Sequence, residues 1–182
     1  FNLCDQFQCP GIVITDLLIS EGTFAVDPDD IDLHPEIDRG ELITDADSNG
    51  DYLRYKYTDS GVSPRAIPGT EGYVHVVATD EHDQDGVLIS DEFTNPIKRR
   101  MMVEKRARKM TGALEAITPP ALEGPEEAAV TLIGWGSTHG VISEAIEQLA
   151  ERGIIANHLS VKWIVPFHTE AITDIVRAAQ RT

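Results

Sequence analysis

The segment that decides the fold stands at the end of the chain: AAVTLIGWGS (128–137), STHGVISEAIEQLAERG (137–153), HLSVKWIVPF (158–167) and TEAITDIVRAAQ (169–180). The first and third pieces are apolar runs of strand length, and the second repeats apolar residues at helical spacing. Strands that alternate with helices in this way predict a parallel sheet with a right-handed crossover. Gly153 is expected to end the first helix. The predicted fold class is therefore α/β, with 128–137 as a buried strand.

A glycine-rich turn, GWGSTHG (134–140), joins the first of these strands to the first helix, where a phosphate loop would lie. Its glycines are spaced as G-x-G-x-x-x-G and the P-loop lysine is missing, so it matches neither nucleotide-binding pattern. We predict a tight turn with Ser137 or Thr138 as the helix N-cap. Phosphate binding is the alternative.

The preceding segment, ITPPALEGPEE (117–127), is punctuated by Pro and Gly and predicts a linker at a domain boundary. Before it, PIKRRMMVEKRARKMTGALEA (96–116) predicts a helix with Pro96 in its first turn. This helix carries seven of the 15 Lys and Arg residues. It either docks a nucleic acid or an acidic partner, or complements acidic neighbours within the chain, such as residues 21–51, and we favour the last interpretation.

The first half of the chain is less regular. FNLCDQFQ (1–8) predicts the end of a helix, and the apolar run GIVITDLLIS (11–20) predicts a buried parallel strand. Residues 21–95 are rich in Asp, Gly, Pro and Thr, but a structureless loop of that length is improbable in a compact domain. Short strands are therefore expected at LRYKYT (53–58) and GYVHVVAT (72–79).

One candidate site residue is Arg65, which stands between two prolines in SPRAIPG (63–69). The prolines restrict the backbone, so the guanidinium is held at a lower entropic cost. A fixed Arg suits a carboxylate or a phosphate. A solvated Arg on a surface turn is the alternative.

Two acidic segments invite comparison with metal sites. DADSNGD (45–51) begins like a calcium loop, but Lys56 stands where the bidentate Glu should be, so we predict an acidic turn. DEHDQD (80–85) gathers four carboxylates around His82, and one His among carboxylates specifies no metal geometry. Residues alone thus predict a Gly-ended acidic loop there.

Composition excludes several classes of protein. The chain has 31 Asp and Glu against 15 Lys and Arg, and its net charge of −16 disfavours general nucleic-acid binding. It contains no apolar run long enough for a membrane-spanning helix. Cys4 and Cys9 are too few for a disulfide scaffold or an iron–sulfur cluster, so we expect free thiols and a cytoplasmic protein. The shortage of Lys relative to Arg indicates a halophile-like, acidic surface.

The combination of motifs resembles a known family. CPGIVITDLLISEG, RYKYTDSGVSPRAIPG, ATDEHDQDG, NPIKRRMMVEKRARKM and VTLIGWGSTHGVISEAIEQL with SVKWIVPF follow the order seen in alpha subunits of 2-oxoacid:ferredoxin oxidoreductases, closest to the 2-oxoglutarate type. The resemblance covers nearly the whole chain, and its last α/β unit is similar to transketolase C-terminal domains in general. Because the chain opens at Phe1 within an amphipathic pattern, we expect a segment of a longer polypeptide.

The resemblance implies a domain organisation. Residues 1–116 would be the end of a pyrimidine-side thiamine-diphosphate domain with an irregular β-rich insertion. Residues 117–127 would be a linker, and 128–182 part of a transketolase-C-like parallel α/β domain.

The resemblance also implies a function: oxidative decarboxylation of 2-oxoglutarate or a related 2-oxoacid to an acyl-CoA, with electrons passed to ferredoxin. Thiamine diphosphate and magnesium would be held mainly by a beta subunit, and an iron–sulfur cluster would lie elsewhere in the complex. The family's catalytic glutamate would lie upstream of Phe1, so no catalytic residue is assigned. Arg65 and His82 lie in family-like loops and are candidates to line the active-site interface. The alternatives are a non-catalytic α/β interaction module and a pyruvate-type or transketolase-like enzyme.

Overall fold

The computed structural model describes residues 1–44, 52–78, 80–88 and 95–182. The chain forms two compact units, one of Phe1–Gly11 with His34–Ala116 and the other of Ile12–Leu33 with Ile117–Thr182. The predicted acidic turn at 45–51 lies outside the described residues. Among the described helices, none is long and apolar enough to cross a membrane.

The second unit contains the strand–helix alternation that the sequence predicts. Its regular elements after residue 117 are β3 (Leu122–Glu123), β4 (Val130–Trp135), α4 (Thr138–Glu151), β5 (Ala156–Val161) and α5 (Thr169–Ala178). The strands lie in the order β3-β5-β4, with β4 parallel and β3 antiparallel to β5. The predicted α/β class and parallel pairing are confirmed.

The core of this unit lies along β5, the central strand. Leu159 is fully buried, and all of residues 156–160 are buried. β4 is paired with β5 on one side, and Ile133 and Trp135 are about half-exposed, at 46% and 51%. The prediction of a buried strand at 128–137 is therefore wrong for β4. Gly134 lies against Ile142 of α4, whereas Ile133 and Trp135 point to the opposite face of the strand.

The turn between β4 and α4 is tight, as predicted. Gly136 has a φ of +57°, which favours glycine. The Thr138 hydroxyl accepts a hydrogen bond from Trp135 N–H (3.0 Å) and donates one to the Trp135 carbonyl (2.7 Å). Ser137 occupies the N-cap position without a capping hydrogen bond, and its hydroxyl donates instead to the Asp16 carboxylate. At the far end, Gly153 follows α4 with a φ of +75°.

The first unit is organised around one long helix. Its regular elements are α1 (Asn2–Phe7), β1 (Leu42–Ile43), β2 (Arg65–Ala66) and α3 (Pro96–Ala116). β1 and β2 form a parallel pair of two residues each. The predicted bounds of α3 and the short helix at the start of the chain are confirmed, and α1 packs on α3, since Phe7 lies against Gly112.

The strands predicted at 53–58 and 72–79 are wrong where the structure describes them, because 53–58 and 72–78 form turns and irregular backbone. Tyr73 and His75, in the second of these segments, pack against the ring of Tyr52 instead of lining a pleated sheet. The Tyr52 ring meets the rings of Tyr73 and His75 edge-on, with centroids 5.2 and 5.1 Å apart. Tyr and Val are typical of strands because they pack well on half-buried surfaces, and ring clusters offer the same burial.

The buried strand predicted at 11–20 is also wrong. Residues 11–16 have no ladder partner among the described residues, and a short helix, α2, spans Leu17–Glu21. Asp16 caps α2, because its carboxylate accepts the Ile19 N–H at 3.0 Å. Val13 is 90% exposed. Asp16, in the middle of the apolar run, is a typical N-cap residue and indicates that a helix begins there. A 3₁₀ turn follows at Pro28–Asp30.

The loop before β2 approaches the backbone of α3 more closely than a side chain would allow. Gly61 has a φ of +80°, and a Cβ built there would lie 2.2 Å from the Lys105 carbonyl oxygen and 3.1 Å from the Lys109 nitrogen. Gly69 has a similar φ of +95° but nothing within 4 Å of its Cβ position. The two glycines therefore separate the cost of backbone conformation from the cost of a steric clash.

We expect Gly61→Ala to destabilise the protein by about 3 kcal/mol or more, because the added Cβ would push the loop before β2 away from the backbone of α3. Gly69→Ala should cost only the left-handed conformation, about 1 kcal/mol. Thermal unfolding of the purified protein measures both variants beside the wild type. Equal losses for the two variants would contradict the close approach.

Candidate functional site

The loop that carries Arg65 is fixed through Ser63, which is 1% exposed. Gln8 Nε2 donates to the Ser63 carbonyl at 2.6 Å. The Ser63 hydroxyl donates to the Lys56 carbonyl (2.8 Å) and accepts from Lys105 Nζ (2.6 Å). Contacts from Gln8 at the end of α1, from α3 and from the neighbouring turn thus set the position of β2.

Arg65 lies in β2, and its guanidinium faces Asp5 of α1. Both terminal nitrogens lie 3.4 Å from Asp5 Oδ1, and one of them donates to the Arg39 carbonyl at 3.2 Å. The Tyr52 hydroxyl braces the backbone on both sides by donating to the Pro64 carbonyl and accepting the Ala66 N–H. The side chain is 24% exposed. The structure therefore holds Arg65 in place and leaves part of it open to a ligand or partner.

The loop that carries His82 is built on the buried Asp83, which is 2% exposed. Asp83 Oδ1 accepts the N–H groups of Asp85 and Val87, each at 3.0 Å, and Oδ2 accepts Lys98 Nζ at 2.8 Å. Burial alone would raise the pKa of this carboxyl, but the hydrogen bonds from Lys98 and the two N–H groups outweigh it and lower the pKa. Asp83 is therefore an ionised anchor between this loop and α3.

His82 immediately precedes Asp83 in the sequence. Its ring lies against the Tyr55 ring, with centroids 3.8 Å apart, and its Nδ1 lies 2.7 Å from the Asp80 carbonyl oxygen. The adjacent Glu81 accepts a bidentate pair of hydrogen bonds from Arg106, which lowers the Glu81 pKa. The basic helix thus complements acidic residues of its own chain, as predicted, through the ion pairs of Lys98 with Asp83 and of Arg106 with Glu81.

Arg65 and His82 have different immediate neighbours. The contacts of Arg65 are with Asp5 and Arg39, whereas those of His82 are with Tyr55 and Asp80. A cleft of about 260 Å³ lies between residues 52–55, 74–76 and 84–85, and neither Arg65 nor His82 lines it. The role of both residues as interface candidates stays a prediction.

Sequence reasoning missed Lys105, a 5% exposed lysine whose Nζ donates to Ser63 Oγ and to the Tyr55 carbonyl (3.1 Å). Burial, assisted by the nearby cations Lys109 and Arg54, lowers the pKa of Lys105 to about 8. Lys is rarely buried without a charged partner, so composition gave no reason to single out this position.

A second group that sequence reasoning missed lies in the other unit: Glu123 on β3, His139 in the first turn of α4, and His158 on β5. His139 Nε2 lies 2.8 Å from Glu123 Oε2, and His158 Nδ1 lies 3.6 Å from the same oxygen. The available signal was a His at the start of a predicted strand. Its carboxylate partner lies in the segment predicted as a linker.

Comparison with known proteins confirms the resemblance that the motifs predict. Residues 121–182 match the family model of the transketolase C-terminal domain. The chain is 31% identical to the alpha subunit of 2-oxoacid:ferredoxin oxidoreductase 2 from Aeropyrum pernix, over 100% of this chain and 28% of that subunit. It is 36% identical to the 2-oxoglutarate oxidoreductase subunit KorA of Mycobacterium tuberculosis, over 56% of this chain and 15% of that subunit.

A solved structure gives the same result at the level of the fold. The 2-oxoglutarate:ferredoxin oxidoreductase of Magnetococcus marinus, solved with 2-oxoglutarate, coenzyme A and succinyl-CoA bound, matches with a TM-score of 0.79 at 28% identity. The match covers 98% of this chain and 30% of that chain. The chain therefore spans less than a third of the length of these relatives.

Lys105 gives a pH-dependent test of the site's framework. Its folded pKa of about 8 lies below its ordinary value of 10.5, so the unfolded state binds more protons between these values. The contribution of Lys105 to stability is therefore present above pH 10.5 and is lost as the pH falls through 8. We expect the Tm of the wild type to rise relative to that of Lys105→Met between pH 8 and 10. Lys56→Met, at an exposed position, controls for the change in net charge. A Tm difference that is constant across this range would contradict the burial of the ammonium group.

Proposed function

We propose that this chain is a segment of the alpha subunit of a thiamine-diphosphate-dependent 2-oxoacid:ferredoxin oxidoreductase. The observation that carries the proposal is the match to the Magnetococcus marinus enzyme over 98% of the chain, through both units. An α/β fold by itself hosts many activities, so the transketolase-type domain alone would not support it. Similarity along nearly the whole chain, beyond the transketolase-type domain, is far more specific.

The substrate proposed is 2-oxoglutarate. Two of the relatives, from Mycobacterium tuberculosis and Magnetococcus marinus, carry 2-oxoglutarate in their names, whereas the Aeropyrum pernix relative is named for 2-oxoacids in general. The products proposed are an acyl-CoA and electrons that pass through an iron–sulfur cluster to ferredoxin. A pyruvate-type enzyme of the same family is the alternative that the assay below addresses.

The glycine-rich turn between β4 and α4 does not fit the diphosphate of the cofactor. The Asp16 carboxylate accepts the hydroxyl of Ser137 at this turn, and that hydrogen bond lowers the Asp16 pKa, so a negative charge already stands there. The Thr138 hydroxyl is engaged with Trp135 on both its donor and acceptor sides. We therefore propose that a beta subunit holds the diphosphate and its magnesium.

We propose that this chain contributes the two loops that carry Arg65 and His82 to the interface with that subunit. Ser63 and Asp83 are buried, and each is held by a lysine of α3, so the loops behind Arg65 and His82 are fixed before a partner binds. A group held in advance loses less entropy on binding. Arg65 is proposed to bind an anionic carboxylate at the interface, for which its planar guanidinium is suited.

The activity is tested with the complete gene product, co-expressed anaerobically with its neighbouring beta subunit. We expect CoA-dependent reduction of a viologen dye, faster with 2-oxoglutarate than with pyruvate. Faster turnover of pyruvate would reassign the substrate. A folded complex that binds thiamine diphosphate but reduces no dye with any 2-oxoacid would overturn the proposal in favour of a non-catalytic interaction module.

The role of Arg65 is tested in the same complex. Arg65→Ala should raise the apparent KM for the 2-oxoacid roughly tenfold, the effect of one lost charge-assisted hydrogen bond. Arg39→Ala is the matched control, because Arg39 pairs with the same Asp5 carboxylate and is 55% exposed. An unchanged KM, or an equal rise in both variants, would assign Arg65 a structural role with Asp5.

A further inference from the structure

Three side chains of the second unit converge on one point of its sheet. Glu123 and His158 stand directly opposite each other in the antiparallel β3–β5 pair, so their side chains share a face. His139, in the first turn of α4, reaches the same place and lies 2.8 Å from Glu123 Oε2 through its Nε2. The three ligand atoms all lie within 4.8 Å of one another.

His158 is the member of this cluster that its own chain leaves unsatisfied. The residue is 1% exposed, and both of its ring nitrogens are buried without a hydrogen-bond partner. Its Nδ1 faces the Glu123 carboxylate at 3.6 Å, beyond hydrogen-bonding distance. Buried polar groups in native proteins almost always have a hydrogen-bond or ligand partner. His158, an imidazole beside a carboxylate and a second imidazole, is therefore expected to have a partner that its own chain does not supply.

We propose that Glu123, His139 and His158 bind a divalent transition-metal ion of the zinc type. The ligand atoms are the Glu123 carboxylate oxygen, His139 Nε2 and His158 Nδ1. This site is independent of the oxidoreductase activity proposed above.

The spacing of the ligand atoms suits a small ion. Zinc binds imidazole nitrogen and carboxylate oxygen at about 2.0–2.1 Å, which places tetrahedral ligand atoms about 3.3 Å apart. The observed separations of 2.8 and 3.6 Å from Glu123 Oε2 lie on either side of that value. Glu123 and His139 are 44% and 49% exposed, so their side chains are free to make the small adjustment that remains. Their exposure also leaves a fourth position for water.

The chemistry of the donors selects the class of ion. Two imidazoles and one carboxylate favour zinc and its neighbours in the first transition row, whereas Mg²⁺ and Ca²⁺ prefer oxygen donors alone. A ligand imidazole must be neutral. Burial lowers the pKa of His158, although the Glu123 carboxylate acts in the opposite direction. The lowered pKa favours the neutral imidazole. A bound ion would also link β3, which has only two residues, to the central strand and to α4.

The test uses the complete protein, purified without a polyhistidine tag, stripped with a chelator and dialysed against Zn²⁺. Zinc content by elemental analysis and titration calorimetry are measured for the wild type, Glu123→Gln and His139→Gln. Both substitutions are at exposed positions, so folding is expected to survive. We expect each to weaken zinc binding by at least about tenfold and to remove one zinc per chain, since removing even an outer-shell partner of a metal typically costs 10–100-fold in affinity.

Matched controls separate this site from other zinc-binding groups in the complete protein. Glu126→Gln and His34→Gln make the same chemical changes at exposed positions outside the cluster and should retain the wild-type stoichiometry. Co²⁺ provides a second readout, because its visible spectrum should change in His139→Gln but not in His34→Gln. Zinc content that is equal in all five proteins, or no zinc bound by the wild type, would overturn the proposal.

Discussion

A buried ammonium group determines how the first unit is assembled. Lys105 Nζ donates to Ser63 Oγ and to the Tyr55 carbonyl, two groups from separate parts of the irregular chain, and no carboxylate accepts from it among its described contacts. The desolvation cost is offset by neutral acceptors alone, which is why the pKa falls to about 8. The two hydrogen bonds fix both the direction and the distance of Ser63 and Tyr55 relative to Lys105. The apolar packing of Met102, on the same helix, cannot fix a direction in this way. Gly61, placed against the Lys105 carbonyl, completes the contact from the other side.

The helices and strands of the periodic parts of the sequence were predicted well, because they depend on residues that are near one another in the chain. The bounds of α3 (Pro96–Ala116) follow from Pro96 at its start and from residues suited to helices, and the strand–helix alternation after residue 128 follows from its apolar spacing. The apolar face that the sequence predicts for α3, formed by Ile97, Met101, Met102 and Val103, is confirmed only for Met102. The apolar side chains of Ile97 and Val103 are exposed, whereas the buried face carries Lys105 and Met102. Hydrophobic periodicity does not identify a face whose lysines bind carbonyl oxygens.

The failures between residues 11 and 88 share another cause. An apolar run or a Tyr- and Val-rich stretch indicates burial, but a strand also needs a neighbour, and pairing is a long-range property. The loop with Arg65 was singled out from its two prolines, and the loop with His82 through the resemblance to known sequences. The residues that fix these loops, Ser63 and Asp83, were not singled out, because Ser and Asp in a Gly- and Pro-rich segment are typical of surface turns.

The same long-range pairing explains why the cluster in the second unit was invisible in the sequence. Glu123 is 35 residues from His158, in a stretch whose Pro and Gly residues indicate a linker, yet β3 adds to the edge of the sheet there and places Glu123 opposite His158. A shift of one residue in that pairing would turn Glu123 to the opposite face and leave His158 facing no carboxylate. A two-residue strand has little backbone pairing to hold its register. The Glu123–His139 contact therefore supplies part of the register from the side chains, and an ion shared with His158 would supply the rest.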